Sequence, residues 1–129
     1  MRKEIDFVAT SGRDQGKHFR IIEMSAAHAE EWAAQALFAL MNAGVEVPEG
    51  GGLADLAAIG LNALSRVKYQ DAKPLLDDMM TCVKYIPTPA QPNIVRPLID
   101  EDIEEIGTRL QLRKAIFDLH TEFLKNADA

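Results

Sequence analysis

The chain has 129 residues and an apolar fraction of 47%, which favour one folded domain and argue against disorder. A formal net charge of -6 and a pI near 5.0 disfavour binding to nucleic acid, because the phosphate backbone requires a basic surface. Cys82 is the only cysteine, which excludes an internal disulfide and a multi-cysteine zinc site.

The hydropathy pattern contains no membrane-spanning segment. No apolar run reaches the roughly 18 residues that such a segment requires, and residues 1–6 lack the apolar core of a signal peptide. We therefore expect a soluble cytoplasmic protein with neither a membrane nor a nucleic-acid partner.

The N-terminal residues alternate between apolar and polar types. This alternation runs over Glu4–Ala9 and again at the start of Lys17–Met24, and the segment between them, residues 10–16, is rich in turn formers. The pattern predicts a β-hairpin over residues 1–24. Because a lone hairpin is only marginally stable in water, its apolar side should pack on a larger core.

A long helix is predicted from Ser25 to Gly44. The Ser25 hydroxyl can cap its first turn, and Gly44 can adopt the left-handed conformation that ends a helix. Its side chains are apolar around almost the whole circumference, so we expect other parts of the protein to surround it.

Two further helices complete a predicted helical core over residues 25–83. The first follows from apolar residues at helical spacing over Leu53–Leu64. The next begins near Asp71 and places Pro74 in its first turn, where proline is tolerated. Its expected buried residues are Leu75, Leu76, Met79, Met80, Cys82 and Val83.

Four prolines interrupt the following segment and predict an extended proline-rich arm over residues 84–99. Asp100 then caps the longest predicted helix, residues 100–126. The predicted fold class is therefore mainly α. It is a single four-helix domain, residues 1–129, with a small N-terminal β-hairpin and a proline-rich arm before the last helix.

The last predicted helix carries two apolar stripes. One contains Ile103, Ile106, Leu110, Phe117 and Leu124, and the other contains Leu112, Ile116, Leu119 and Phe123. One stripe suffices to dock the helix, so the second needs either the proline-rich arm or another protein chain to cover it. We assign a partner or oligomer interface to Arg109, Leu112, Arg113, Ile116, Leu119 and Phe123. The two arginines could instead form internal salt bridges to Glu105 or Asp102.

The sequence offers no convincing catalytic or metal site. The run Gly12–Lys17 has too few residues between its glycines for a phosphate-binding loop, and His18 replaces the required Ser or Thr. His18, His28 and His120 lie far apart without metal-ligand spacing. Cys82 has apolar neighbours typical of a core thiol. We expect a protein that is not an enzyme and that has no cofactor and no metal.

Two groups of residues resemble the bacteriophage tail assembly chaperones. The first comprises Gly12-Arg13-Asp14, Gly16-Lys17, Phe19, Glu23-Met24 and Trp32-Ala33. The second comprises Arg96-Pro97-Leu98-Ile99, Asp102-Ile103-Glu104-Glu105, Thr108-Arg109-Leu110, Leu112-Arg113, Phe117 and Leu119-His120. The chain departs from the family at Ser25, where relatives usually carry proline, and this affects only the helix cap.

The resemblance implies a small helical protein of a phage or prophage, made in the bacterial host cytoplasm. Such chaperones keep the tape measure protein soluble while tail tube protein polymerises around it. The implied partners are the tape measure protein and the tail tube protein, with a homo-oligomer or pairing with a frameshifted longer form. The alternative is a structural minor tail component or adaptor retained in the virion. A helical transcriptional regulator is disfavoured because no basic recognition helix is present.

Overall fold

The computed structural model describes residues 1–45 and 61–127, without the side chains of Leu61, Asn62, Leu64 and residues 122–127. Most of the helix predicted over Leu53–Leu64 therefore lies outside the described residues. Its last residues fall in a 3-10 helix, Leu61–Arg66. The chain divides into two compact units, one of residues 1–23 and 79–119 and one of residues 24–78 and 120–129.

The predicted N-terminal hairpin is confirmed. Strand β1, Glu4–Val8, pairs antiparallel with β2, His18–Ile22. The connecting loop contains a short 3-10 turn, Gly12–Asp14, and both Gly12 and Gly16 adopt positive φ, at 68° and 87°. Such angles suit glycine because it has no Cβ. The loop can therefore fold into a compact turn rather than an open connection.

The mainly α prediction of a four-helix domain is wrong. The described residues form three α-helices and a four-stranded antiparallel sheet, in the order β1-β2-β3-β4. Strand β3, Val83–Ile86, pairs with β2, and β4, Arg96–Pro97, pairs with β3. Both strands contribute to the segment expected to be a proline-rich arm. Proline is compatible with β4 because an edge strand need not donate every backbone N–H.

One face of the sheet carries a row of side chains that crosses all four strands. The Phe7 and Phe19 ring centroids are 6.4 Å apart, and those of Phe19 and Tyr85 are 5.4 Å apart. The Arg96 guanidinium lies 4.8 Å from the Tyr85 ring centroid. Tilted aromatic pairs and a cation over a ring are favourable arrangements. The row therefore links β3 and β4 to the hairpin formed by β1 and β2.

The first unit has its own apolar core. Phe19 and Ile21 are fully buried on the sheet, and residues of the last helix belong to the same core. The buried apolar residues of this unit are Ala9, Phe19, Ile21, Met79, Met80, Cys82, Val83, Ile86, Leu112, Ile116 and Leu119. The predicted packing of the hairpin's apolar side into a larger core is therefore observed.

Helix α1, Ala26–Asn42, belongs to the second unit. The Ser25 hydroxyl accepts a hydrogen bond from the His28 backbone N–H at 3.2 Å, which confirms the predicted cap. The Trp32 indole donates to the Leu75 carbonyl at 2.9 Å. However, Phe38 is 61% exposed and Met41 is 53% exposed. The expectation that α1 is covered on nearly every side is wrong, because only one face enters the core.

Helix α2, Tyr69–Met80, begins two residues earlier than predicted. Pro74 therefore lies in its second turn, inside the helix rather than in the first turn. Leu75, Met79 and Met80 are buried as predicted. Cys82 and Val83 are also buried, but they lie beyond the helix, and Val83 is the first residue of β3.

Helix α3, Ile106–Ala127, also begins at a different residue from the one predicted. A 3-10 helix, Asp100–Asp102, comes first, and Ile103 is extended. The continuous helix expected from Asp100 is therefore wrong. Side chains from the hairpin loop and from β4 form hydrogen bonds with residues of this stretch.

Candidate partner-binding surface

The start of α3 is held by a buried carboxylate from the hairpin loop. Asp14 is 0% exposed and accepts hydrogen bonds from the backbone N–H groups of Glu104 and Glu105, at 2.8 and 3.0 Å. The Thr108 hydroxyl donates to the same carboxylate at 2.8 Å. Asp14, about ninety residues away in sequence, thus binds the backbone just before α3 and a hydroxyl in its first turn, and so acts as a remote cap on the start of the helix.

The electrostatics of this contact favour the ionised form of Asp14. Burial raises the pKa of Asp14, but the hydrogen bonds from Glu104, Thr108, Glu105 and Lys17 outweigh it and lower the pKa from 3.8 to about 2. The Lys17 ammonium lies 3.2 Å from the carboxylate and also donates to the Asp102 carbonyl at 2.9 Å. The carboxylate therefore carries its charge at neutral pH inside the folded unit.

A second set of contacts joins the hairpin loop to the residues just before α3. The Arg13 guanidinium donates to the Glu105 carboxylate at 2.9 Å and to the Glu104 carbonyl at 2.7 Å. A Cβ on Gly12 would lie 3.1 Å from the Glu105 side chain, so the loop approaches closely at this point. We call the contacts of residues 12–17 with residues 102–108 the loop–helix clamp.

Arg96 of strand β4 binds Asp102, the first residue on the helix side of the clamp. Arg96 donates two hydrogen bonds to the Asp102 carboxylate, at 2.8 and 2.6 Å, and the Ile99 backbone N–H donates to the same group at 2.8 Å. Burial raises the pKa of Asp102, but these hydrogen bonds give a net lowering. Asp102 is thus bound to residues that precede it, Ile103 is extended, and the α-helix begins at Ile106.

The predicted interface residues occupy several environments. Leu112, Ile116 and Leu119 are buried in the core of the first unit, while Arg109 and Arg113 are half-buried. The side chain of Phe123 lies outside the described residues. The partner contact assigned to this set stays a prediction, and it requires the three buried side chains to leave the core.

The internal salt bridges considered for Arg109 and Arg113 involve acids that have other partners. Glu105 pairs with Arg13, and Asp102 pairs with Arg96. The arginines that reach these acids come from the hairpin loop and β4, and not from α3.

The other stripe of α3 faces solvent where the helix begins. Ile106 is 78% exposed and Leu110 is 57% exposed, and their spacing of four residues puts them on one helix face. Ile94, Val95 and Ile99, in the segment before the clamp, are also exposed. The sequence pattern identified this stripe as apolar but did not reveal that it is the exposed one.

The second unit has its own exposed apolar pair. Phe38 and Met41 are three residues apart on α1 and share a face with exposed Gln35 and Asn42. Large apolar side chains grouped in this way are typical of surfaces that bind other proteins. Each unit therefore contributes a candidate surface of its own.

The described residues include the metal-ligating and thiol side chains considered from the sequence. Among them, no group of three His, Cys, Asp or Glu residues is placed to hold a metal ion. The Cys82 side chain is buried. His28 contacts the Asp78 carboxylate at 2.8 Å, an arrangement that links α1 to α2. Within residues 1–45 and 61–127, no helix combines the length and apolar character needed to cross a bilayer.

Comparison with known proteins gives no assignment. The chain matches no protein-family model, no curated protein and no solved structure.

Proposed function

We propose that this protein is a non-catalytic phage or prophage tail assembly chaperone that binds the tape measure protein and keeps it soluble during tail tube assembly. The proposal starts from the resemblance of two sequence segments to that family. Asp14 belongs to the first of those segments and Thr108 to the second, and the two residues meet in the loop–helix clamp. A structural role for both segments is compatible with a function that needs no catalytic group.

The observation that carries the proposal is the exposure of large apolar side chains on the helices. Ile106 and Leu110 on α3, and Phe38 and Met41 on α1, are each more than half exposed. Such side chains can cover the apolar stripe of a helical client. The net charge of -6 would help to keep a complex with an apolar client in solution.

The setting that follows from this proposal is the cytoplasm of a bacterial host. The tail tube protein would be a second contact, made as it polymerises around the tape measure protein. Self-association, or pairing with a frameshifted longer form, would bring several apolar surfaces to one long client.

The alternative function is a structural minor tail component or adaptor that stays in the particle. The same exposed side chains would then be permanently covered by other tail proteins. Mass spectrometry of purified virions distinguishes the two, because a chaperone should be absent from them and a structural component should be present.

Co-expression tests the proposal directly. The tape measure protein encoded near this chain's gene should be insoluble alone, and soluble and co-purified when this chain is co-expressed. A matched control is the Glu30→Gln chain, which changes one exposed carboxylate and keeps the apolar surfaces. If the tape measure protein stays insoluble with the folded wild-type chain, the chaperone function is rejected.

A further inference from the structure

We propose that His120 forms a proton-sensitive latch between α3 and the start of α1, closed while the ring is neutral and open when the ring is protonated. The His120 latch is the hydrogen bond from the Met24 backbone N–H to His120 Nε2, 2.8 Å long. Both residues belong to the second unit, Met24 in the connection between β2 and α1 and His120 on α3. The proposal concerns the fold itself and does not depend on what the chain binds.

The two partners determine which form of the ring is present. A backbone N–H group can only donate, so His120 Nε2 must accept and cannot itself carry a hydrogen. The neutral His120 ring therefore carries its hydrogen on Nδ1. Protonation would put a second donor on Nε2, opposite the Met24 N–H, and would replace the hydrogen bond with a contact between two donors.

The surroundings make this contact unfavourable. Met24 is only 9% exposed and His120 is half-buried, so water has limited access to the bonded atoms. A backbone N–H that loses its acceptor away from water loses the full free energy of its solvation. Separation of His120 from Met24, which lets water reach both groups, is therefore the expected response to acid.

A second histidine at the start of α1 responds in the opposite sense. His28 Nε2 lies 2.9 and 2.8 Å from the two carboxylate oxygens of Asp78 on α2. An ionised carboxylate only accepts, so His28 Nε2 carries a hydrogen whether the ring is neutral or protonated, and protonation adds charge attraction. Acid should therefore keep the contact between α1 and α2 while it opens the His120 latch.

The latch lies among other charged groups, and the pH range of the transition separates them from histidine. The charged groups on the segments that meet here are Glu23 in the connection, Glu30 and Glu31 on α1, Asp77 and Asp78 on α2, and Arg113, Lys114 and Asp118 on α3. Carboxyl, ammonium and guanidinium groups ordinarily titrate outside the range from about pH 5 to 8, in which imidazole titrates. A change within that range therefore reports a histidine, and variants decide which one.

The ring forms of the two histidines provide the first test, on the unmodified chain. Long-range 1H–15N NMR spectra at about pH 7.5 should show the hydrogen of His120 on Nδ1 and that of His28 on Nε2. A neutral His120 ring with its hydrogen on Nε2 would overturn the proposal. This test needs no variant, so it holds even if a substitution at His120 prevents folding.

Hydrogen exchange of the Met24 amide measures the latch directly. After correction for the intrinsic effect of pH on exchange, its protection should fall at least about tenfold between about pH 7.5 and about pH 5. The His28 amide, which donates to the Ser25 hydroxyl, is the internal reference and should change less than about threefold. No fall at Met24, or an equal fall at both amides, would overturn the proposal.

Two substitutions of His120 separate the acceptor from its titration. The side-chain carbonyl of His120→Gln can accept from Met24 but does not titrate, so protection of Met24 should stay within about threefold of wild type and should not fall in acid. His120→Leu offers no acceptor, so protection should be about tenfold lower than wild type at neutral pH and equally low in acid. An acid-induced fall that persists in either variant would overturn the proposal.

His28→Gln is the matched control. It removes the other histidine at the start of α1 and leaves the His120 latch in place. The acid-induced fall in Met24 protection should remain at its wild-type size in this variant. Its disappearance would assign the titration to His28 and would reject the latch.

Discussion

Replacement of Asp14 by asparagine should destabilise the chain more than any other single-atom change at a carboxylate of the loop–helix clamp. The variant keeps the size of the side chain but removes its charge. It also puts an NH2 group where an oxygen accepts hydrogen bonds from Glu104, Glu105 and Thr108. At least one buried donor then faces another donor, and the Lys17 ammonium loses its nearest anion.

The structure sets the size of this effect. The pKa of Asp14 falls from 3.8 to about 2 on folding, which at about 1.4 kcal/mol per pH unit corresponds to roughly 2.5 kcal/mol at neutral pH. An unsatisfied buried donor adds about 1–3 kcal/mol. We therefore expect Asp14→Asn to lower the free energy of unfolding by roughly 3.5–5.5 kcal/mol, and the Tm by roughly 14–22 °C.

Urea unfolding followed by circular dichroism at several pH values measures both the ionic contribution of Asp14 and the cost of the misplaced NH2 group. Because the pKa of Asp14 is lower in the folded chain, its ionic contribution is complete above about pH 5 and is lost as the pH falls toward 2. The gap between wild type and Asp14→Asn should therefore narrow by roughly 1.5 kcal/mol between pH 6 and pH 2.5. The remaining, pH-independent gap reports the misplaced NH2 group.

Asp118→Asn is the matched control, because Asp118 forms a partly exposed ion pair with Lys114 on the same helix. Its cost should stay within about 0.5 kcal/mol. If Asp14→Asn costs no more than this control at pH 7, or if its gap widens in acid, the assignment of Asp14 as the remote cap of α3 is wrong.

Three further changes test other parts of the fold by urea unfolding. Arg96→Lys should lower the free energy of unfolding by about 1–2 kcal/mol, because lysine cannot make the two parallel hydrogen bonds that Arg96 donates to Asp102. A decrease below about 0.3 kcal/mol would contradict the importance of this pair. Gly12→Ala should destabilise more than Gly16→Ala, since both glycines have positive φ but only the first would crowd Glu105; equal losses would show that the close approach is unimportant. Trp32→Phe should lower the free energy of unfolding by about 1–3 kcal/mol, because the hydrogen bond from the indole to the Leu75 carbonyl of α2 is lost. An unchanged free energy of unfolding would exclude that hydrogen bond.

Local sequence patterns predicted the elements that short-range interactions determine. The hairpin follows from alternation over a few residues and from its glycine-bounded turn. The start of α1 follows from the Ser25 cap, and its end from Gly44, which has a φ of 83°. These features need no knowledge of distant residues, so the sequence contains all the information that they require.

Strands β3 and β4 were missed because their pairing is long-range. Val83 continues the apolar run of α2, and a short apolar run does not distinguish a strand from a helix. Strand β4 has two residues, too few for an alternating pattern. Their stability comes from pairing with β2 and from the side-chain row on the sheet, which no local window contains.

The exposed face of the last helix also could not be predicted from local sequence. Both apolar stripes of the last helix were recognised, but the choice between them depends on which side enters the core. Leu112 and Ile116 are buried, while Ile106 and Leu110 are exposed. Which side enters the core depends on packing with residues far away in sequence, and the clamp at the start of the helix likewise joins residues about ninety positions apart, so local spacing could not reveal the choice.

The remote cap also imposes an order on translation. Asp14 leaves the ribosome's catalytic centre 91 residues before Glu105, the partner that it needs. At 5–20 residues per second this interval is roughly 5–20 s. Until residues 83–86 are made, the nascent hairpin has no β3 beside it and Phe19 lacks the aromatic neighbour that Tyr85 later supplies. The start of α3 is missing throughout the interval. A protein proposed to protect another unfinished assembly thus passes through an unprotected stage of its own during synthesis.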